Sequence, residues 1–160
     1  GLYQDGQRPT LHLFCECSVM KTLLILTTIT CLSPTYTWRQ TLDAIRQVET
    51  GGSPDEGRGA TGDRGRAIGP YQIWNIYWTD AAVPGRNYSE CLRDKELSEQ
   101  VVQRYMERYA RDSLRRLQAG VGSLDDVLRI ARIHNGGPAG DRKQSTLRYS
   151  RKVRSILGDE

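Results

Sequence analysis

The stretch WRQTLDAIRQVETGG, residues 38–52, decides how the chain is read. Leu42, Ile45 and Val48 recur every three residues, which predicts an amphipathic helix over Trp38–Glu49. Gly51-Gly52 ends it, as glycine does just past a helix C-terminus. Glu49 stands four residues after Ile45 and seven after Leu42, so it projects from the apolar face. It also sits where the helix dipole disfavours negative charge. Both effects favour the neutral carboxyl that a general acid needs to protonate a leaving-group oxygen. The competing reading is a helix-end glutamate paired with a cation such as Arg46.

Downstream, residues 51–66 (GGSPDEGRGATGDRGR) are rich in glycine and charge and read as a loop or hairpin. Asp63 lies 14 residues after Glu49, flanked by Arg64 and Arg66, which favour its ionised form. A protonated and an ionised carboxyl facing each other across a cleft form the glycosidase pair. Asp55 and Glu56 compete for the second role in the same loop. Ala67–Ile73 reads as a short strand that leads through a turn into a helix with Trp74, Tyr77 and Trp78, broken by Pro84-Gly85. Tyr71, Trp74, Tyr77 and Trp78 are candidates for stacking on sugar rings, with part of this cluster expected in the core.

The longest helix is expected from about Ser98 to Leu117, with Leu97, Val101, Tyr105 and Tyr109 as its buried stripe. Ser123 and Asp126 form a variant capping box for a further helix whose inner face is Leu124, Val127, Leu128, Ala131 and His134. Gly136-Gly137-Pro138 stops it. A final helix is expected from Ser145 to Leu157, carrying Tyr149, Val153 and Ile156. The fold class is α+β, mainly α, with a small glycine-rich β-hairpin after the first helix.

The upstream part reads differently. Behind Met20 and Lys21, Thr22 to Leu32 (TLLILTTITCL) is an uncharged apolar run, and Ser33-Pro34-Thr35 breaks it. Eleven residues suit an export signal and are too few to span a membrane. A buried strand or helix is the alternative. The expected division is an upstream extension at 1–19, an export signal at 20–37 cut near Thr35–Trp38, and one domain at 38–160. Thr28-Ile29-Thr30-Cys31 does not fit a lipid-attachment pattern.

Charge and cysteine content exclude several functions. The net charge of +4 lies wholly beyond residue 37, because Arg8 and Lys21 are matched by Asp5 and Glu16. So mild a bias suits an anionic cell wall and is too small for nucleic acid. Three of four cysteines (Cys15, Cys17, Cys31) precede residue 38, leaving Cys91 and His134 as the domain's one cysteine and one histidine. That argues against a zinc site and against an intradomain disulfide. There is no phosphate loop, dinucleotide fingerprint or nucleophile elbow, so no cofactor is expected. A lone His134 on an apolar helix face reads as a core histidine or a binding residue.

Four collinear segments carry a resemblance: Val48-Glu49-Thr50-Gly51; Gly69-Pro70-Tyr71-Gln72-Ile73 with Tyr77-Trp78-Thr79-Asp80; Val102-Gln103-Arg104-Tyr105-Met106-Glu107-Arg108-Tyr109; and His134-Asn135-Gly136-Gly137-Pro138-Ala139-Gly140, followed by Ser145-Thr146. Over about residues 38–157 the chain resembles the invertebrate-type lysozymes, the destabilase family. The resemblance implies a lysozyme-like fold and cleavage of the β-1,4 bond between N-acetylmuramic acid and N-acetylglucosamine in bacterial peptidoglycan. It implies Glu49 as general acid and then base, and an aspartate, matched best by Asp63, as nucleophile or stabiliser with retention of configuration. It places Tyr71, Gln72, Tyr77, His134 and Asn135 against the substrate. A secreted protein, acting outside the cell or in a digestive or lysosomal compartment, with no stable membrane insertion, follows from the signal. The family's density of cysteine is missing here, so packing must supply that stability. Lytic transglycosylase action on the same substrate, or binding without catalysis, are the alternatives. The isopeptidase activity of some members is represented here only by the availability of His134 and Ser145.

Overall fold

The computed structural model describes residues 33–159. The expected extension at 1–19 and the apolar run of the expected signal lie outside the described residues. The folded unit reaches back to Tyr36, which is buried and exchanges backbone hydrogen bonds with Gly122 (2.8 and 3.3 Å). Its hydroxyl donates to the Asp159 carboxylate, near the other end of the domain.

Helix α1 (Trp38–Thr50) begins at Thr37, whose hydroxyl accepts from the Gln40 N–H while the Gln40 side chain accepts from the Thr37 N–H. This reciprocal cap satisfies two otherwise orphaned donors. Leu42 and Ile45 are fully buried, as the spacing predicts. Each such side chain contributes about 1.5–3 kcal/mol. Gly51 closes the helix with its N–H on the Gln47 carbonyl, and a Cβ there would stand 2.1 Å from that oxygen.

The glycine-rich segment forms two tight turns, Pro54–Gly57 and Asp63–Gly65, and a three-stranded antiparallel sheet of two-residue strands. β1 (Thr61–Gly62) pairs with β2 (Ala67–Ile68), and β2 with β3 (Ile73–Trp74). The single strand expected over Ala67–Ile73 is therefore two, split by the turn at Gly69–Gln72. Gly69 is required there: its φ is +74°, and a Cβ would lie 1.9 Å from the Cys91 carbonyl oxygen. Trp74, expected inside the next helix, ends β3 and precedes α2 (Asn75–Ala81) with extended backbone. That helix stops at left-handed Ala82, two residues before Pro84, which disfavours helix in the residue preceding it.

The expected helix from Ser98 to Leu117 is two helices. α3 (Lys95–Tyr109) starts earlier because Asp94 caps it, accepting from the Leu97 N–H at 2.8 Å. It breaks at Ala110 (φ −145°, ψ 38°), and α4 (Arg111–Gln118) turns Leu114 and Leu117 into the core. α5 (Leu124–Gly136) has the expected Ser123–Asp126 box, and Arg116 forks onto the same Asp126 carboxylate at 2.9 and 2.5 Å. Its buried face is Val127, Ile130, Ala131, Ile133 and His134, while Leu124 and Leu128 are half-buried, so the face is rotated from the expected one. α6 (Leu147–Ile156) follows a tight turn over Gln144–Thr146, so it begins two residues later than expected. Tyr149 and Val153 are buried, and Ile156 is exposed. Cys91 is unpaired and fully buried, and burial pushes its thiol up to about 11.

Candidate active site

A cleft of about 520 Å³ opens between the C-terminal end of α1, the small sheet and the C-terminal end of α5. Glu49 and Asp63 both line it, so the two sequence candidates meet at one site. Asp55 and Glu56 do not line it. They pair with Arg58 (3.3 and 3.1 Å), and Glu56 also with Lys95 (2.6 Å).

Glu49 is held from two sides. The Tyr149 hydroxyl on α6 donates to its Oε1 at 2.7 Å, and His134 Nε2 on α5 stands 3.5 Å from the same oxygen. These contacts leave Oε2 as the oxygen that can serve a substrate. The side chain keeps 18% exposure, enough to meet the cleft. No arginine pairs with it among the described residues, so the pairing with Arg46 is not formed.

His134 is fixed in turn. Its Nε2 lies 3.2 Å from the Tyr71 carbonyl oxygen, which can only accept, so Nε2 carries hydrogen. Its Nδ1 lies 3.2 Å from the Tyr77 hydroxyl and accepts from it when the ring is neutral. Burial pushes the Tyr77 and Tyr149 hydroxyls well above their ordinary value, and the Glu49 carboxylate adds to this. Both tyrosines therefore remain donors. Tyr77 is held face to face on Tyr105 (centroids 3.7 Å apart, planes at 14°). Both ring nitrogens of His134 are thus occupied without a serine. Ser145 is exposed ahead of α6 and makes no bond to His134, so the Ser/His pair that an isopeptidase would use is not assembled.

The opposite wall is built differently. Asp63 (φ +47°) and Arg64 (φ +59°) are in left-handed backbone, which costs a non-glycine residue energy but which aspartate tolerates. Arg66 stabilises that turn: its guanidinium meets the Asp63 carboxylate at 2.9 Å, its Nε meets the Asp63 carbonyl, and it stacks 5.1 Å over the Trp74 ring. Trp74 (41% exposed) and Ile76 (73%) form an apolar lip on the cleft.

The expected substrate residues separate. Gln72, Tyr77, His134 and Asn135 line the cleft, with Asn135 exposed and Gln72 tied to the Gly69 carbonyl at 2.9 Å. Tyr71 does not. Its ring is wholly buried and its hydroxyl donates to Glu99 at 3.0 Å, so it is a core residue that reaches the site only through its carbonyl. The turn separates neighbours: Tyr71 and Ile73 are buried, while Gln72, in left-handed backbone (φ +48°), and Trp74 face the cleft. Trp78 is half-buried against the core and leaves the lip to Trp74. Sequence reasoning missed Ile76, whose exposure beside two tryptophans carried no signal, and Asp80, which lines the cleft and accepts from Tyr109 at 3.0 Å. It also read Tyr149 as core alone. Among the described residues no group of histidine, cysteine and carboxylate is gathered to hold a metal, and no helix is long and apolar enough to cross a membrane.

The destabilase family model matches residues 39–156. A lysozyme from Magallana gigas is 39% identical over 87 residues, covering 54% of this chain and 58% of that protein. Lysozyme 1 from Crassostrea virginica is 37% identical over 89 residues, covering 56% of this chain and 44% of that protein. The chain thus spans about half the length of these two relatives. The crystal structure of Tapes japonica lysozyme superposes with a TM-score of 0.60 at 31% identity, over 81% of this chain and 98% of that one. The mainly helical, lysozyme-like architecture expected from the resemblance is the one observed.

Proposed function

The chain belongs to the destabilase family, and from that premise we propose that it is a lysozyme, hydrolysing the β-1,4 bond between N-acetylmuramic acid and N-acetylglucosamine in bacterial peptidoglycan. One observation carries the reading: a glutamate clamped by a buried tyrosine and a histidine shares its cleft with an aspartate on the facing wall. Glu49 protonates the glycosidic oxygen as the bond breaks. Asp63 stabilises the positive charge that develops on the sugar, or bonds to it covalently. Glu49 then takes a proton from the attacking water, and configuration is retained. Trp74 and Ile76 offer an apolar platform for a sugar face, while Gln72 and Asn135 offer amide groups to its polar edge. Export, with action outside the cell or in a digestive compartment, fits an enzyme with this substrate.

Mass spectrometry of the products from purified peptidoglycan tests the proposal. Wild type should release fragments with reducing muramic acid ends, and Glu49→Gln should reduce their rate at least ~10³-fold, at the upper part of the range for a general acid. Anhydro-muramic ends would assign a transglycosylase instead. Equal lysis by wild type and Glu49→Gln would remove catalysis altogether.

A further inference from the structure

α6 carries Arg148, Arg151, Lys152 and Arg154 and no acid, so ten residues hold as much net positive charge as the whole chain. Elsewhere many cations are matched: Arg39 with Glu99, Arg86 with Glu90 and Asp94, Arg116 with Asp126, Arg129 with Asp141. Arg148, Arg151 and Lys152 are exposed and have no hydrogen-bond or ion-pair partner among the described residues. They stand three and four residues apart, on one helix face. Like charges at that spacing repel and destabilise a helix. The adjacent helix supplies no relief: α1 turns Gln47 and Val48 toward them, and its two acids are engaged elsewhere, Asp43 with Arg39 and Glu49 with Tyr149.

These cations do not stand on a flat surface. They line a groove of about 530 Å³ between α1 and α6, together with Gln47 and Ser155. Its polar groups include guanidinium, ammonium, amide and hydroxyl donors, and no carboxylate of the described residues borders it. Arginine forks match the paired oxygens of a phosphate, and a lysine beside them adds a point charge. The groove also lies apart from the cleft. Tyr149 reaches inward from α6 to Glu49, while its neighbours Arg148 and Arg151 face outward. No described residue lines both cavities, so an occupant of the groove leaves the glycan cleft open.

We propose that the α1–α6 groove is a second binding site, for a phosphodiester polyanion of the bacterial wall of the teichoic-acid type. A row of cations one helical turn apart fits a chain of repeated phosphates better than a single ion. The choice of a wall polymer rests on the reading of the cleft as a peptidoglycan hydrolase. Retention at the wall would then be separate from cleavage of its glycan.

The probe is soluble poly(glycerol phosphate), titrated calorimetrically over a series of salt concentrations. Wild type should bind it with affinity that falls as salt rises. The triple variant Arg148→Gln, Arg151→Gln, Lys152→Gln should bind at least tenfold more weakly and with a shallower salt dependence. Its hydrolysis of an uncharged chitin oligosaccharide should be unchanged, which also establishes that it folds. A control with equal loss of charge, Arg93→Gln, Arg115→Gln, Arg142→Gln, should bind like wild type. Equal weakening by both triple variants would overturn the groove in favour of net charge. No binding by wild type, or binding only to phosphatidylglycerol vesicles, would overturn the assigned occupant. If wild type binds the polymer and the groove variant does not, yet neither cleaves any glycan, the groove stands and the lysozyme reading falls.

Discussion

The two walls of the cleft hold their carboxylates by opposite means. Glu49 stands on a capped helix, and its Oε1 is held by side chains from two other helices, Tyr149 on α6 and His134 on α5. Asp63 stands on a three-residue turn in left-handed backbone, and its carboxylate is held by Arg66, three residues away and itself exposed. One wall is rigid because distant elements converge on it. The other is fixed by a local ion pair, of a kind worth at most about 1 kcal/mol at a surface. In the proposed reaction Glu49 acts twice, as acid and then as base, so its orientation is used in both steps.

The largest test of the contrast is Asp63→Asn. It preserves the turn, since asparagine also tolerates this backbone, and removes only the charge. The expected outcome is a loss of about 10²-fold in kcat on peptidoglycan with a melting temperature near that of wild type, measured by turbidity clearance and calorimetry. Tyr149→Phe comes next. It deletes the hydrogen bond that orients Glu49 and should lower kcat about tenfold with KM unchanged, in steady-state kinetics on a soluble oligosaccharide.

A smaller effect concerns the frame of the rigid wall. Arg116 most of all, against the opposing effect of burial, and the Ser123 N–H hold the Asp126 carboxyl well below the usual range. The native state therefore binds fewer protons than the unfolded chain in acid. This contribution is complete above about pH 4 and is lost as pH falls through the depressed native value. Asp126→Asn should cost about 1–2 kcal/mol at pH 7 and flatten the acid side of the stability profile, followed by urea denaturation. The smallest change is expected of Arg66→Gln. Loosening the Asp63 turn should lower kcat about threefold and shift stability by less than about 0.5 kcal/mol. A larger loss of activity from Arg66→Gln than from Tyr149→Phe would reverse the comparison.

The rigid wall was half legible in the sequence. Period-three apolar residues and a glycine stop gave α1 and put Glu49 on its inner face, and a capping box gave α5. Tyr149 was not legible as a partner of Glu49, because nothing local marks a contact across 100 residues. The break at Ala110 was equally silent. Alanine is the best helix former, and tertiary packing of Leu114 and Leu117 overrode its preference. On the other wall, glycine and charge announced a loop without giving its turns. Asp63 emerged from its arginine neighbours, of which Arg66 is the one that engages it. That the Tyr71 ring lies in the core was not legible, because aromatic character alone does not tell which side of the Gly69–Gln72 turn faces inward.

Cys91 has a practical consequence. Its side chain is wholly buried, its carbonyl lies against the Gly69 turn, and burial raises the thiol's pKa, which keeps the reactive thiolate scarce at neutral pH. An alkylating reagent can reach it only when the turn and the start of α3 come away from the core. The rate at which Cys91 itself is alkylated, followed on its own peptide by mass spectrometry and so separately from Cys15, Cys17 and Cys31, therefore clocks opening of the domain with no substitution made.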